Sequence, residues 1–151
     1  MSLQATDIIV NGYFYTFLYL SKDGSVKNDE VPLIYCIGPS TKNINNFFGL
    51  NFHHLPEEFR ETMLIKMNEA KRLIDRDDRY LFSETELNKF VPGSRAAVRE
   101  YNRKRVMKAF RIPSTEISMH IYEDGRIASN EGNDRSRFLE DRMGKSKQRY
   151  K

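Results

Sequence analysis

Residues 31–56, VPLIYCIGPSTKNINNFFGLNFHHLP, constrain the fold more tightly than any other stretch, because two aromatic-rich apolar runs flank a polar loop and lead straight into a helix start. Short runs of this kind, bounded by Gly, Pro and Asn, read as buried strands. Residues 31–37 form the first, stopped by Gly38-Pro39, and Pro32 lacks a backbone donor, which places it at a strand start or a sheet edge. Residues 40–45 (STKNIN) supply turn chemistry. Residues 46–52 (NFFGLNF) form the second strand, with Gly49 marking a bulge or a close backbone approach.

Upstream, residues 13–20 (YFYTFLYL) read as a strand buried on both faces that ends in a turn at 21–24 (SKDG), followed by a polar loop at 27–30. Downstream, His53-His54-Leu55-Pro56 turns the chain into a helix, with Pro56 suited to its first position and Glu57 and Glu58 to the positive end of its dipole. Phe59, Met63, Met67, Ala70 and Ile74 recur at steps of three and four, so one stripe faces a core. Residues 76–79 (RDDR) break that pattern, and 80–82 form a short apolar link. Ser83 and Glu86 have capping-box spacing for a short helix that Pro92-Gly93 ends. Ser94 is expected to cap a longer helix through about Arg111, with Val98, Tyr101, Val106, Ala109 and Phe110 on its apolar side and Pro113 as its stop.

Residues 117–122 (ISMHIY) alternate as a half-buried strand does and end at the turn Glu123-Asp124-Gly125, with 126–128 as a hairpin partner. From Ser129 the chain is polar and charge-rich, ending MGKSKQRYK from Met143, a composition expected to stay mobile without a partner. The expectation is one α+β domain over 1–128 and a flexible basic tail over 129–151. With so few strands, the sheet most economically protects its edges by curling shut, as a small SH3-like barrel with a helical insertion.

A chain of 151 residues can bury a single core without metal or disulfide staples. Its one cysteine, Cys36, lies mid-run in apolar sequence and reads as a small buried hydrophobe in a reducing compartment. The opening MSLQATD lacks a basic start and an apolar core, and no apolar run approaches the ~18 residues of a membrane span. A soluble intracellular protein with no membrane contact is expected.

Net charge is +4, with 9 basic and 11 acidic residues over 1–80 but 16 basic and 10 acidic over 81–151. The expected 94–111 helix holds Arg95, Arg99, Arg103, Lys104, Arg105, Lys108 and Arg111 against the single acid Glu100. Arg95, Arg99 and Arg103 at i, i+4, i+8 would lie along one helical face, as contact with successive phosphates requires. The nucleic-acid-binding set is therefore Arg95, Arg99, Arg103, Lys104 and Lys108, supported by Lys145, Lys147 and Arg149 of the tail. A charged face packed on another protein and a merely solvated face are the alternatives.

His53, His54, His120 and Cys36 are the candidates for soft-metal ligands, but adjacent histidines on an extended segment point to opposite faces. A histidine hydrogen-bonding at a strand-to-helix junction explains His53 and His54 better, and neither a metal nor a cofactor is expected. Glu57-Glu58 complements a helix start and Asp77-Asp78 sits between Arg76 and Arg79, so neither pair implies acid-base catalysis. The Gly38–Thr41 loop lacks P-loop spacing.

The Pro-led strand PLIYCIGPS and the junction Gly49-Leu50-Asn51-Phe52-His53-His54-Leu55-Pro56 resemble a group of small proteins from T4-related tailed bacteriophages. The later segment carrying Tyr101, Val106, Phe110, Arg111, Ile112, Pro113 and Glu116 is similar too, so the resemblance spans about residues 12–118. It implies a non-enzymatic DNA end protector or structural protein of the particle, located in the host cytoplasm or the virion. Duplex DNA or other phage structural proteins would be its partners, with oligomers possible within an assembly. A neck, tail or baseplate protein that does not touch nucleic acid is the alternative. The chain also resembles the SH3-like barrel endoribonucleases of the MazF type. Here, however, Val31 precedes Pro32 where that class commonly has Arg, and the loop over 21–30 contains no arginine, so the resemblance carries over the barrel without the residues the reaction would need, and a barrel-type endoribonuclease stands as the further alternative.

Overall fold

In a computed structural model the structure describes residues 4–6, 8–20, 31–70, 79, 81–113 and 116–121. The expected turn at 21–24, the loop at 27–30, Ile74, the 126–128 hairpin partner and the tail with Lys145, Lys147 and Arg149 lie outside those residues. Six antiparallel strands form one sheet: β1 (Gln4–Thr6), β2 (Phe14–Tyr19), β3 (Leu33–Pro39), β4 (Asn46–Asn51), β5 (Val98–Asn102) and β6 (Val106–Ile112). Two helices, α1 (Glu57–Ala70) and α2 (Glu84–Phe90), lie between β4 and β5 in sequence.

The expected SH3-like barrel is not formed. Strand order is β1-β6-β2-β3-β4-β5, so the sheet is open, with β1 and β5 as its edges. The edges are protected by other means. β1 has three residues and β5 five, and the Arg99 guanidinium donates to the carbonyls of Ala96 and Val98 at 2.6 and 3.1 Å, along the β5 edge. Short, charged edges resist pairing with another chain without closure.

The open sheet is nonetheless strongly curled. Only Arg103–Arg105, a 3-10 turn, joins β5 to β6, and the four residue steps from Asn102 to Val106 reach at most ~14 Å. Four strand spacings in a flat sheet would require ~19 Å. Curling brings the ends together, and the Leu20 N–H donates to Arg105 O and the Arg103 N–H to Asn45 O, each at 2.8 Å.

Strand alternation divides the apolar residues between the two faces. Phe14, Leu18, Leu33, Tyr35, Leu50, Phe110 and Ile112 pack on the helix side with Met63, Leu64, Met67, Phe82 and Leu87. Tyr15, Phe17, Ile34, Cys36, Phe47, Tyr101 and Ala109 fill the inside of the curl. The Phe17 and Tyr101 rings meet edge-on at 5.4 Å although β2 and β5 are three strands apart in the sheet, which only a concave face permits. Gly49 lies on that face. A Cβ there would lie 2.8 Å from Ile34 Cδ1 and 3.3 Å from Tyr101 Cε2, so Gly49 marks a close approach, while the bulge falls on the opposite strand between Cys36 and Gly38.

The helix expected over 94–111 does not exist. Residues 94–97 form a 3-10 turn, followed by β5, the Arg103–Arg105 turn and β6. Both faces of these strands are packed, with Val98, Phe110 and Ile112 toward the helices and Tyr101 and Ala109 into the curl. Apolar residues of both parities imitate helical steps of three and four when written in one line. The strand expected over 117–122 is instead a 3-10 turn, Ile117–Met119. Ile117, His120 and Ile121 are buried at a spacing of three and four, and β6 is already paired by β1 and β2 on its two sides.

The α1 stripe differs at one position: Met63, Leu64 and Met67 are buried, while Phe59 is 42% exposed. For α2 the capping box is present, with Ser83 Oγ accepting from the Glu86 N–H and Glu86 Oε1 from the Ser83 N–H, both at 3.1 Å. The Tyr35 hydroxyl accepts from the Phe82 N–H at 3.0 Å, tying the approach to α2 to the sheet. No helix among the described residues is long and apolar enough to cross a membrane.

Candidate nucleic-acid interface

The odd-numbered aromatics Tyr13, Tyr15, Phe17 and Tyr19 share the concave side because side chains alternate along a strand. Phe47 and Tyr101, opposite one another in the β4–β5 register, stack at 5.6 Å, and Tyr19 meets Tyr101 edge-on at 5.1 Å. The Asn51 amide donates to the Tyr101 hydroxyl at 3.1 Å and the Tyr19 hydroxyl accepts from the Asn102 N–H at 2.9 Å. These bonds fix the rings.

Arginines lie over this aromatic layer. The Arg103 guanidinium is 5.0 Å from the Phe47 centroid and donates to Ile9 O at 2.8 Å. Arg105 is 4.4 Å from the Tyr19 centroid and donates to Leu20 O at 2.7 Å. Arg111 is 4.4 Å from the Tyr13 centroid, and Arg79 lies 6.0 Å from the same ring while donating twice to Asn11, at 2.8 and 2.7 Å. A cation over a ring face is favourable by ~0.5–2 kcal/mol, and the carbonyl bonds set the orientation of each fork. Arg103 and Arg105 each commit one nitrogen to a described acceptor, so most of each five-donor fork remains for a ligand.

The structure divides the expected binding set. Arg103, Lys104 and Lys108 lie together on and beside the β5–β6 turn, with Lys104 and Lys108 exposed. Arg95 stands apart, its Nε 3.1 Å from Glu84 Oε2. Arg99 is turned to the β5 edge. The row at i, i+4, i+8 therefore does not exist, because its members lie in a turn, a strand and a second turn. Arg105, Arg111 and Arg79 join the aromatic layer although helical spacing gave them no part in the binding set. The alternation of aromatics over 13–19 was the available signal, since such a face stacks cations from neighbouring strands.

Glu100 is the one acid between residues 94 and 113, and its Oε2 accepts from the Asn46 amide at 2.6 Å. Seven basic residues against this one acid give the 94–113 segment a net positive charge. Cys36 is fully buried beneath the curl, and desolvation pushes its thiol up to about 12, so it packs as a neutral hydrophobe. The His53 N–H donates to Asn51 Oδ1 at 2.9 Å in the 3-10 turn leading to α1. Among the described residues no three His, Cys, Asp or Glu side chains converge as metal ligands would.

Set against family models, curated proteins and solved structures, the chain matches none of them.

Proposed function

We propose that the protein binds the phosphate backbone of nucleic acid, duplex DNA first, through the basic turn between β5 and β6, without chemistry on its ligand. The observation that carries this reading is the fixing of Arg103 and Arg105 over aromatic rings on a three-residue turn that also holds exposed Lys104 and is followed by exposed Lys108. Charges held in advance lose little freedom on binding and can each displace a counterion from a polyanion. The resemblance of the Gly49–Pro56 junction to small proteins of tailed phages supports DNA as that polyanion and the phage particle or infected cell as the setting.

The test is a fluorescence-anisotropy titration of a short duplex across a salt series. Contact with three to five phosphates gives a slope of log K on log salt of about −3 to −4.5, since each contributes ~0.9. Lys104→Ala and Lys108→Ala each flatten that slope by ~0.9, whereas Arg95→Ala, already paired with Glu84, leaves it nearly unchanged. Absence of binding at the lowest salt used would end the proposal.

A further inference from the structure

A cleft of about 130 Å³ opens beside the basic turn, lined by Thr6, Ile9, Arg103, Val106, Lys108 and Ala109. Its shape follows from an irregularity in β6. Between the pairs Thr16↔Phe110 and Leu18↔Met107 the register shifts, so β6 carries one residue more than β2 there. Lys108, in that extra length, is held at φ 52°, the one non-glycine at positive φ among the described residues. A bulge of this kind turns a side chain away from the regular alternation. Here the bulged Lys108 lines the same cleft as Arg103.

Two cations thus line one small cleft whose described walls contain no carboxylate. Like charges brought together are unfavourable unless an anion sits between them. Arg103 is also held from two sides, by Ile9 O and by the Phe47 ring, so its guanidinium is fixed at the cleft. The Thr6 hydroxyl is occupied, donating to Ile8 O at 3.0 Å and accepting from the Ile8 N–H at 3.1 Å. The cleft therefore offers two cationic donors, and its other walls, Ile9, Val106 and Ala109, are apolar. A residue held in a rarely populated backbone conformation beside such a cleft is a mark of sites kept for function.

We propose that this cleft seats a single phosphoryl group between the Arg103 guanidinium and the Lys108 ammonium. For its biological occupant, a backbone phosphate, the proposal rests on the polyanion reading above; for the binding itself it requires only inorganic phosphate.

The test titrates the full chain with inorganic phosphate at constant ionic strength, following amide chemical shifts. Saturable shifts centred on Thr6, Arg103, Lys108 and Ala109 are expected. Lys108→Met removes the charge at nearly constant length and should weaken phosphate at least tenfold, whereas Lys66→Met, on the exposed side of α1 and away from the basic turn, should change it less than twofold. Arg103 ties the turn to Ile9, so its replacement risks the fold; Lys108→Gly, which relieves the backbone instead, serves as the second variant and should lose phosphate to the same extent. Shifts that do not saturate, or equal losses in the Lys66 and Lys108 variants, overturn the seat. Wild-type protein that takes up no phosphate overturns the proposal. A parallel duplex titration separates the two readings. Phosphate binding without duplex binding leaves the seat and removes the polyanion reading, while duplex binding without phosphate saturation does the reverse.

Discussion

Gly49→Ala tests whether the inside of the curl is packed as tightly as its geometry indicates. Gly49 does not have positive φ, so alanine can adopt its backbone and the added methyl group is the whole perturbation. That Cβ would stand 2.8 Å from Ile34 Cδ1, 3.2 Å from Ile34 Cβ and 3.3 Å from Tyr101 Cε2, where carbon pairs prefer ~3.5–4.0 Å. Ile34 is fully buried, so its δ-methyl has no open side to retreat to. Overpacking of this kind costs ~1–3 kcal/mol, and the stiffer unfolded chain returns ~0.4–1 kcal/mol. The expected net loss is centred on ~1.3 kcal/mol and at most ~2.6 kcal/mol, or roughly 3–5 °C in Tm at the centre for a chain of this size. Urea denaturation of Gly49→Ala, Ile34→Val and the double mutant gives the source of the loss. Ile34→Val removes Cδ1 at a cost of ~0.5–1.5 kcal/mol on its own. If the overlap with Cδ1 is the cause, the double mutant is more stable than the sum of the singles by at least ~0.5 kcal/mol. Additivity within ~0.3 kcal/mol refutes the argument. Any shift of Tyr101 passes to Phe47, stacked on it, and so to the ring beneath Arg103.

Lys108→Gly should leave the protein more stable than Lys108→Ala in thermal unfolding, because alanine keeps the left-handed backbone penalty of ~1–2 kcal/mol and glycine does not; equal Tm values would argue against strain at the bulge. Ser83→Ala removes the side-chain acceptor of the capping box and should cost ~1 kcal/mol in a denaturant titration, with Ser83→Asp recovering most of it. Burial raises the Cys36 thiol from 9.0 to about 12, so the folded chain keeps its proton where the unfolded chain loses it. That contribution is complete below pH 9 and declines between pH 9 and about 12, and native protein at pH 8 should resist thiol alkylation until denaturant is added; rapid labelling of folded protein would contradict the burial.

The parts of the fold legible in the sequence were those governed by local chemistry. The runs at 13–20, 31–37 and 46–52 correspond to β2, β3 and β4 within a residue or two, because β-branched and aromatic residues bounded by Gly, Pro and Asn leave few alternatives. The Ser83–Glu86 spacing gave α2 its start for the same reason. What was not legible depended on pairing between distant segments. β1 is three residues long and exists only through its ladder with β6. β5 and β6 look helical until it is known that both their faces are covered. Whether a curled sheet closes is decided by its two edge strands, and nothing local to residues 4–6 or 98–102 announces whether they pair.

The candidate site shows the same division in sharper form, since a helix and a strand place identical charges in opposite ways. On a helix, Arg95, Arg99 and Arg103 would form a row and Arg103, Arg105 and Arg111 would scatter around the axis. In the strands the row breaks up, and Arg103, Arg105 and Arg111 all come to the concave side, where Phe47, Tyr19 and Tyr13 stand. The aromatic layer explains the choice of arginine there, because a planar, weakly hydrated guanidinium can lie on a ring and still direct N–H groups elsewhere, which a lysine ammonium does poorly. Lysines occur instead at the exposed positions 104 and 108. A segment that reads as one basic surface in sequence therefore contains two kinds of charge: arginines whose guanidinium groups lie on rings, and lysines that stand exposed beside them.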